Sequence, residues 1–242
     1  MSSRYQHPYP SDSTIDEHPF KPLDYSKRTL EESRQDADAY LKTMQRRRSV
    51  RMISDEDVPE DLIATAIETA GTAPSGANLQ PWHFVAVSDP DLKHQIRLAA
   101  EKEERTNYLD KRMNDEWQAA LAHLGTDWHK EFLEIAPWVV VLFEQRYGVD
   151  HEGQRHHNYY VKESCGIAAG LFISAIHNMG LVTLTHTPSP MAFISKILGR
   201  PENERPAIMF PVGYPAEGTL VPDLAKKPLE DFMTIRGIPP VS

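Results

Sequence analysis

Four arginines and a serine fall within six consecutive positions, Arg46, Arg47, Arg48, Ser49 and Arg51 around an apolar Val50. Guanidinium groups present planar pairs of donors that match phosphate oxygens, and a neighbouring hydroxyl adds another. The chemistry offered is capture of a phosphorylated ligand. Alone, such a cluster at a helix end reads more often as a solvated basic turn. One helix length further on lies Pro74-Ser75-Gly76-Ala77, whose small residues would let a flat ligand approach the backbone. Alone it is weaker still, because a turn between helix and strand is the default.

Other sites have less support. His151, His156 and His157 lie in a charged, glycine-containing turn without the cysteine or H-E-x-x-H spacing of a metal site, so no metal is expected. Cys165 is the only cysteine and sits before the small apolar run Gly166–Leu171, which reads as a buried structural thiol rather than a nucleophile. No G-x-G-x-x-G follows a strand and no Walker A motif is present, which leaves a Rossmann or P-loop site unsupported. No Ser-His-Asp set is identifiable from motif or order.

The chain has 242 residues, 40% hydrophobic and 25% charged, with a net charge of −9. That is globular composition, and the acidic balance argues against a nucleic-acid partner. It does not exclude a local basic pocket for an anion. No apolar run reaches the ~20 residues of a membrane span, and the polar N-terminus does not resemble a signal peptide. With one unpaired cysteine, the expectation is a soluble cytoplasmic protein with no membrane partner.

The elements that must position these residues follow from periodicity. Residues 1–28, rich in Ser, Pro, His and charge, read as a flexible arm. Thr29 and Glu32 have capping-box spacing and open a helix through Met44. A second helix starts at Pro59, with Leu62, Ile63, Ala66, Ile67 and Ala70 on its apolar face. His83–Val87, Trp138–Phe143, Leu181–Thr185 and Ala207–Val212 read as strands. Pro90 to about Lys102, Tyr159–Met179 and Met191–Leu198 read as helices. The charged stretch 101–130 is partly helical, and 144–153 is a polar turn. Strands separated by helices imply an α/β or α+β sheet covered by helices, in one domain over 29–242.

Taken in order, Arg47-Arg48-Ser49-Val50-Arg51, Ala70 through Asn78 and Gln80-Pro81-Trp82-His83-Phe84 resemble the FMN-binding signature of the nitroreductase superfamily. Asp89-Pro90-Asp91-Leu92-Lys93, Asn107-Tyr108, Thr126 through Lys130, Gly180-Leu181-Val182-Thr183, Pro211 through Pro215 and Val221-Pro222-Asp223-Leu224 narrow the resemblance to its iodotyrosine deiodinase branch. It spans about residues 40–235.

The resemblance implies a nitroreductase-like fold: a central mixed sheet flanked by helices, with terminal extensions wrapping the partner of a homodimer and FMN at the interface. It implies that Arg47, Arg48, Ser49 and Val50 hold phosphate and ribityl groups, that Arg51 approaches the flavin's pyrimidine edge, and that Pro74, Ser75 and Gly76 contact the ring. Thr185, His186 and Thr187 border the cofactor. Thr187 would donate its hydroxyl to the redox-active ring nitrogen and favour one-electron steps. Glu104, Tyr108 and Lys130 would grip the amino-acid end of a halotyrosine of the 3-iodotyrosine class, with the Ala77 amide meeting its phenolate. A Glu and a Lys are the minimal complement of a zwitterion, and Glu104 and Tyr108 share one helix face at i and i+4.

The same resemblance implies reductive dehalogenation with release of halide and tyrosine, beneath a lid at about 101–130. NAD(P)H or a separate reductase would supply the electrons. A general FMN nitro- or quinone reductase is the alternative, and it would not need Glu104, Tyr108 and Lys130. Two positions depart from the family. Lys226 stands where an arginine helps bind phosphate, keeping the charge without the planar fork. His186 stands where some members have threonine.

Overall fold

The computed structural model describes residues 18, 20–110 and 112–237. Most of the arm expected over 1–28 therefore lies outside the described residues. Helix α1, Leu30–Gln45, begins as its capping residues dictate. Thr29 N donates to Glu32 Oε2 at 2.8 Å, and Glu32 N donates back to Thr29 Oγ1 at 3.2 Å, so two otherwise orphaned amides are satisfied. No residue of α1 is buried, and Leu30 and Leu41 are exposed. The chain divides into two compact units at Lys42/Thr43. Everything below concerns the second unit.

Helix α2, Glu60–Gly71, follows Pro59 and buries Ile63, Ala66 and Ala70. A single 3-10 turn, Gly76–Asn78, leads into β1, Trp82–Val87. Then come α3, Pro90–Leu109, α4, Asp115–Ala122, and the short α5, Phe132–Ile135. Strand β2, Trp138–Gln145, precedes the hairpin β3, Tyr147–Val149, and β4, Arg155–His157. Helix α6, Val161–Asn178, strand β5, Val182–Thr183, helix α7, Ala192–Ile197, and strand β6, Glu204–Gly213, complete the frame.

The sheet runs β1-β2-β6-β5, with every neighbouring pair antiparallel. A parallel bridge from Ser49 to Thr183 makes it mixed. Strand β2 is buried on both faces, and its alternation sorts the core. Val140 and Leu142 meet Phe210, α2 and α6 on one side. Val139, Val141 and Phe143 meet Met209, α3, α5 and α7 on the other. The result is a sheet between two helical layers. Phe172 of α6 is fully buried, with ring centroids 5.9 Å from Phe84 and 4.9 Å from Phe210. Truncating it to alanine should cost about 3–5 kcal/mol.

Three expectations change. The helix read to about Lys102 continues to Leu109, because its buried positions persist beyond the apolar ones. The strand read over Leu181–Thr185 pairs regularly only at Val182 and Thr183; His186 then bridges singly to Met209. The turn over 144–153 is the end of β2 and most of a hairpin, with Arg155–His157 wholly exposed.

Candidate functional site

Helix α3 carries the polar half of the site. Asp89 caps it, accepting from Leu92 N at 2.8 Å, and Pro90 occupies the first turn. Its buried positions are Lys93, Ile96, Ala100, Glu101, Glu104 and Asn107, a helical repeat that turns from apolar to acidic after Ala100. Carboxylates stay buried only when paired, and the turn Thr126–Lys130 supplies the partners. Lys130, 2% exposed, places its Nζ 4.0 Å from Glu104 Oε2 and 5.7 Å from the centre of the Tyr108 ring. Tyr108 donates its hydroxyl to Thr126 O at 3.4 Å. Lys130 Nζ also donates to Thr126 Oγ1 at 3.4 Å and to the Asp127 carbonyl.

Burial perturbs every member of this group. It raises the Glu104 carboxyl above the usual range, with Lys130 opposing. It lowers the Lys130 ammonium, with Glu104 and Asp127 opposing. It raises the Tyr108 phenol, helped by the Glu104 charge. Thus a carboxylate and an ammonium, both poorly solvated, face each other beside a phenol. A zwitterion inserted between them would satisfy both charges.

Arg51 joins this group from another direction. The segment before it is fixed by Val50 N donating to Thr183 O at 3.2 Å, and the one after by Ser54 N donating to Tyr214 O at 2.9 Å. Val50 and Ile53 are buried, leaving Arg51 half-buried between them. The close approach needs Gly213: a Cβ there would stand 2.6 Å from Ile53 Cγ2. Burial lowers the Arg51 guanidinium, and its charge acts on Tyr108, Lys130 and His186. His186 is 8% exposed and stacks edge-on against Phe132 at 5.7 Å. Its Nε2 has no partner among the described residues. Burial, reinforced by the Lys130 and Arg51 charges, depresses it to about 3, so the imidazole is neutral. Thr185 and Thr187 flank it with exposed side chains, as extended backbone requires.

The remaining residues form three further surfaces. Arg47, Arg48 and Val50 line a cleft of about 140 Å³ with Thr183 and Val221. Arg48 donates to the Pro222 carbonyl, which ties the segment leading to the exposed Lys226 to the basic cluster. Ser49 is exposed at the bridge to Thr183. The Pro74–Ala77 loop is held elsewhere. Gly76 N donates to Ser164 Oγ at 3.4 Å, and Ser75 Oγ accepts from Gln80 N at 2.9 Å. A Cβ on Gly76 would lie 2.7 Å from Tyr159 O. Ala77, Asn78 and Gln80 all have positive φ, at 49°, 54° and 48°, a strained run of the kind held at functional loops. Thr187 lines a cavity of about 880 Å³ together with Lys162, Gly166 and Arg205; none of Glu104, Tyr108 or Lys130 does.

Residues 44–214 match the model of the nitroreductase family. An iodotyrosine deiodinase of Haliscomenobacter hydrossis is 55% identical over 81% of this chain and 88% of its own length. Iodotyrosine deiodinase 1 of Homo sapiens is 42% identical over 92% of this chain and 76% of its own. The chain belongs to the iodotyrosine deiodinase branch of the nitroreductase family. Among solved structures of the family, an oxidised iodotyrosine deiodinase bound to FMN and 3-iodo-L-tyrosine superposes with a TM-score of 0.71 at 27% identity. The similarity covers 81% of this chain and all of that one.

In this nitroreductase-family chain the motif residues explain the site only in part. Glu101 and Arg97, which carry no motif, are built into it. Glu101 Oε1 accepts from Lys130 N at 2.8 Å and from Arg97 Nε at 3.0 Å. The signal for Glu101 was its place on the same helix face as Glu104 and Tyr108.

Proposed function

We propose that the protein is an FMN-dependent iodotyrosine deiodinase. The observation that carries this reading is the buried pair of Glu104 and Lys130, 4.0 Å apart beside the Tyr108 ring. A general nitroreductase has no need of a carboxylate and an ammonium set side by side to receive the two charges of a zwitterion. In the proposed complex Glu104 takes the substrate's ammonium, Lys130 its carboxylate, and Tyr108 packs beside the backbone. The Ala77 amide donates to the phenolate oxygen.

The donor set fits FMN. Arg47 and Arg48 at their cleft suit its phosphate, Ser49 adds a hydroxyl, and Lys226 supplies a further charge. Arg51 would offer the flavin a cation, and the exposed Thr185 and Thr187 hydroxyls would offer it hydrogen-bond donors. When bound, the flavin supplies two electrons, one at a time. Replacing the C–I bond by C–H consumes those two electrons and one proton and releases iodide. The protein's part is to fix the phenol, keep its oxygen hydrogen-bonded and exclude water. No side chain acts as a nucleophile.

A site completed by a second copy fits Thr187 lining a cavity that Glu104, Tyr108 and Lys130 do not line. Helix α6 exposes Gly166 and Gly170 beside Ile167, and the glycines let another helix approach closely. A homodimer wrapped by its terminal segments is the proposed assembly. In the lid proposed at about 101–130 the part without a buried residue is α4, between α3 and the turn Thr126–Lys130. Electrons arrive from NAD(P)H, directly or through a separate reductase. The lone cysteine fits the reducing cytoplasm as location.

The test is an absorption titration of the purified, FMN-loaded protein with 3-iodotyrosine. A saturable shift of the flavin band is expected. A band that shifts equally with 2-iodophenol and iodotyrosine at equal concentrations would contradict the zwitterion site.

A further inference from the structure

Lys130 is unusual in how its backbone is held. Helix α4 buries nothing and joins α3 through Gln118 Nε2, which donates to the Tyr108 carbonyl at 3.0 Å, well before Lys130 in sequence. Its side chain gives weak anchorage to α3. The ammonium lies 4.0 Å from Glu104, and the Tyr108–Thr126 contact is 3.4 Å, both at or beyond the range of good hydrogen bonds. The Arg105 guanidinium adds a contact 5.1 Å above the Trp128 ring. At Lys130 itself the short link to α3 is on the main chain, where Lys130 N donates to Glu101 Oε1 at 2.8 Å. On its other side Lys130 O accepts from Leu133 N at 2.9 Å, at the start of α5.

Glu101 is itself held. Its side chain is 11% exposed and shares Oε1 with Arg97 Nε at 3.0 Å. Arg97 Nη1 donates in turn to Glu134 Oε2 of α5 at 2.9 Å. One chain of charge-assisted bonds therefore joins α3, Lys130 and α5. Glu101, Glu104 and Tyr108 stand at i, i+3 and i+7, on one face of α3.

We propose that Glu101 is a positioning residue for the amino-acid end of the substrate: it fixes the backbone of Lys130 against the helix face that displays Glu104 and Tyr108. This rests on the deiodinase reading for its substrate. The tether itself is independent of substrate. Without it, the Lys130 ammonium pivots on a backbone free to move with the lid, and small misplacements of a clamping group are costly. The electron-transfer step, remote from the ammonium, does not depend on the tether once substrate is seated.

The test compares Glu101→Ala and Glu101→Gln in the FMN-loaded protein. Glu101→Ala should raise KM for 3-iodotyrosine about tenfold while kcat stays within about twofold, as expected for loss of one charge-assisted bond. Glu101→Gln, whose amide oxygen still accepts from Lys130 N–H, should recover most of that loss. Hydrogen exchange gives a readout without substrate: the Lys130 amide should lose protection in Glu101→Ala and keep it in Glu101→Gln. An unchanged KM, a fall in kcat at constant KM, or unchanged Lys130 exchange in Glu101→Ala overturns the proposal. If Glu101→Ala does not fold, Arg97→Gln replaces it. Faster Lys130 exchange with a raised KM then supports the tether, and neither change overturns it. A wild-type protein that fails to turn over iodotyrosine refutes the deiodinase reading, while the exchange result still decides the tether.

Discussion

Replacing Glu104 with Gln tests the zwitterion clamp by removing one charge without changing shape. In the free protein Glu104 is buried and its carboxyl is raised by that burial, with Lys130 only 4.0 Å away. Neutralising it relieves a desolvation cost as well as losing an ion pair, so the two effects on folding oppose each other. The loss falls instead on the complex, where the substrate ammonium meets an amide in place of a carboxylate. Removing one partner of a desolvated, hydrogen-bonded charge pair costs about 2–4 kcal/mol, equivalent to about 30- to 1,000-fold in kcat/KM. The comparison substrate is 2-iodophenol, which carries the same bond to be broken and no zwitterion. Initial rates of iodide release from both give a ratio of kcat/KM values. That ratio should fall at least about 30-fold in Glu104→Gln. A ratio within about threefold of wild type would refute the clamp.

Other outcomes follow from the same geometry. Affinity for iodotyrosine should fall on the acid side through a pH above the ordinary 4.5 of Glu104, and on the alkaline side below the ordinary 10.5 of Lys130; a Kd profile in which Glu104→Gln keeps the acid limb would contradict this. His186 sits at about 3 in the folded chain against 6.5 normally, so the unfolded chain takes up a proton that the folded one refuses. Stability is therefore lost progressively as pH drops below 6.5, until about 3. His186→Thr should flatten that slope in urea midpoints, and an unchanged slope would count against it. Gly76→Ala places a Cβ 2.7 Å from Tyr159 O, so the loop must shift at a cost of about 1–3 kcal/mol; thermal melts and FMN titration should both show the change. Burial pushes the Cys165 thiol up to about 12, and its Sγ donates to Pro81 O at 3.3 Å. Iodoacetamide should therefore spare it in the native protein and label it in denaturant.

Much of the frame was legible because its ends are marked by chemistry. The Thr29–Glu32 box, Pro59, Asp89–Pro90 and Gly180 delimit helices where backbone groups need caps or lack an N–H. The continuous apolar run Trp138–Phe143 marked the central, doubly buried strand β2. The hairpin β3–β4 was invisible because its second strand is exposed and polar, with no buried face to impose alternation. The continuation of α3 to Leu109 was missed because hydropathy cannot register a carboxylate at a core position. Only the continuation of the Lys93, Ile96, Ala100 spacing to Glu104 and Asn107 betrays it. Within the site, Glu104, Tyr108 and Lys130 were found through the family motif and are brought together in space. The backbone bond from Lys130 to Glu101 has no sequence signature, since any residue type supplies an amide. His186 was noted as a departure, but its neutrality depends on Lys130 and Arg51, which are distant in sequence.

The central claim is that this chain removes iodine reductively from iodotyrosine. The most direct test is an anaerobic incubation of the FMN-loaded protein with 3-iodotyrosine and dithionite, counting iodide and tyrosine together. The account predicts equal amounts of the two, formed over many turnovers. Flavin reduced by dithionite and bound to the protein, with substrate intact and no iodide released, would contradict it.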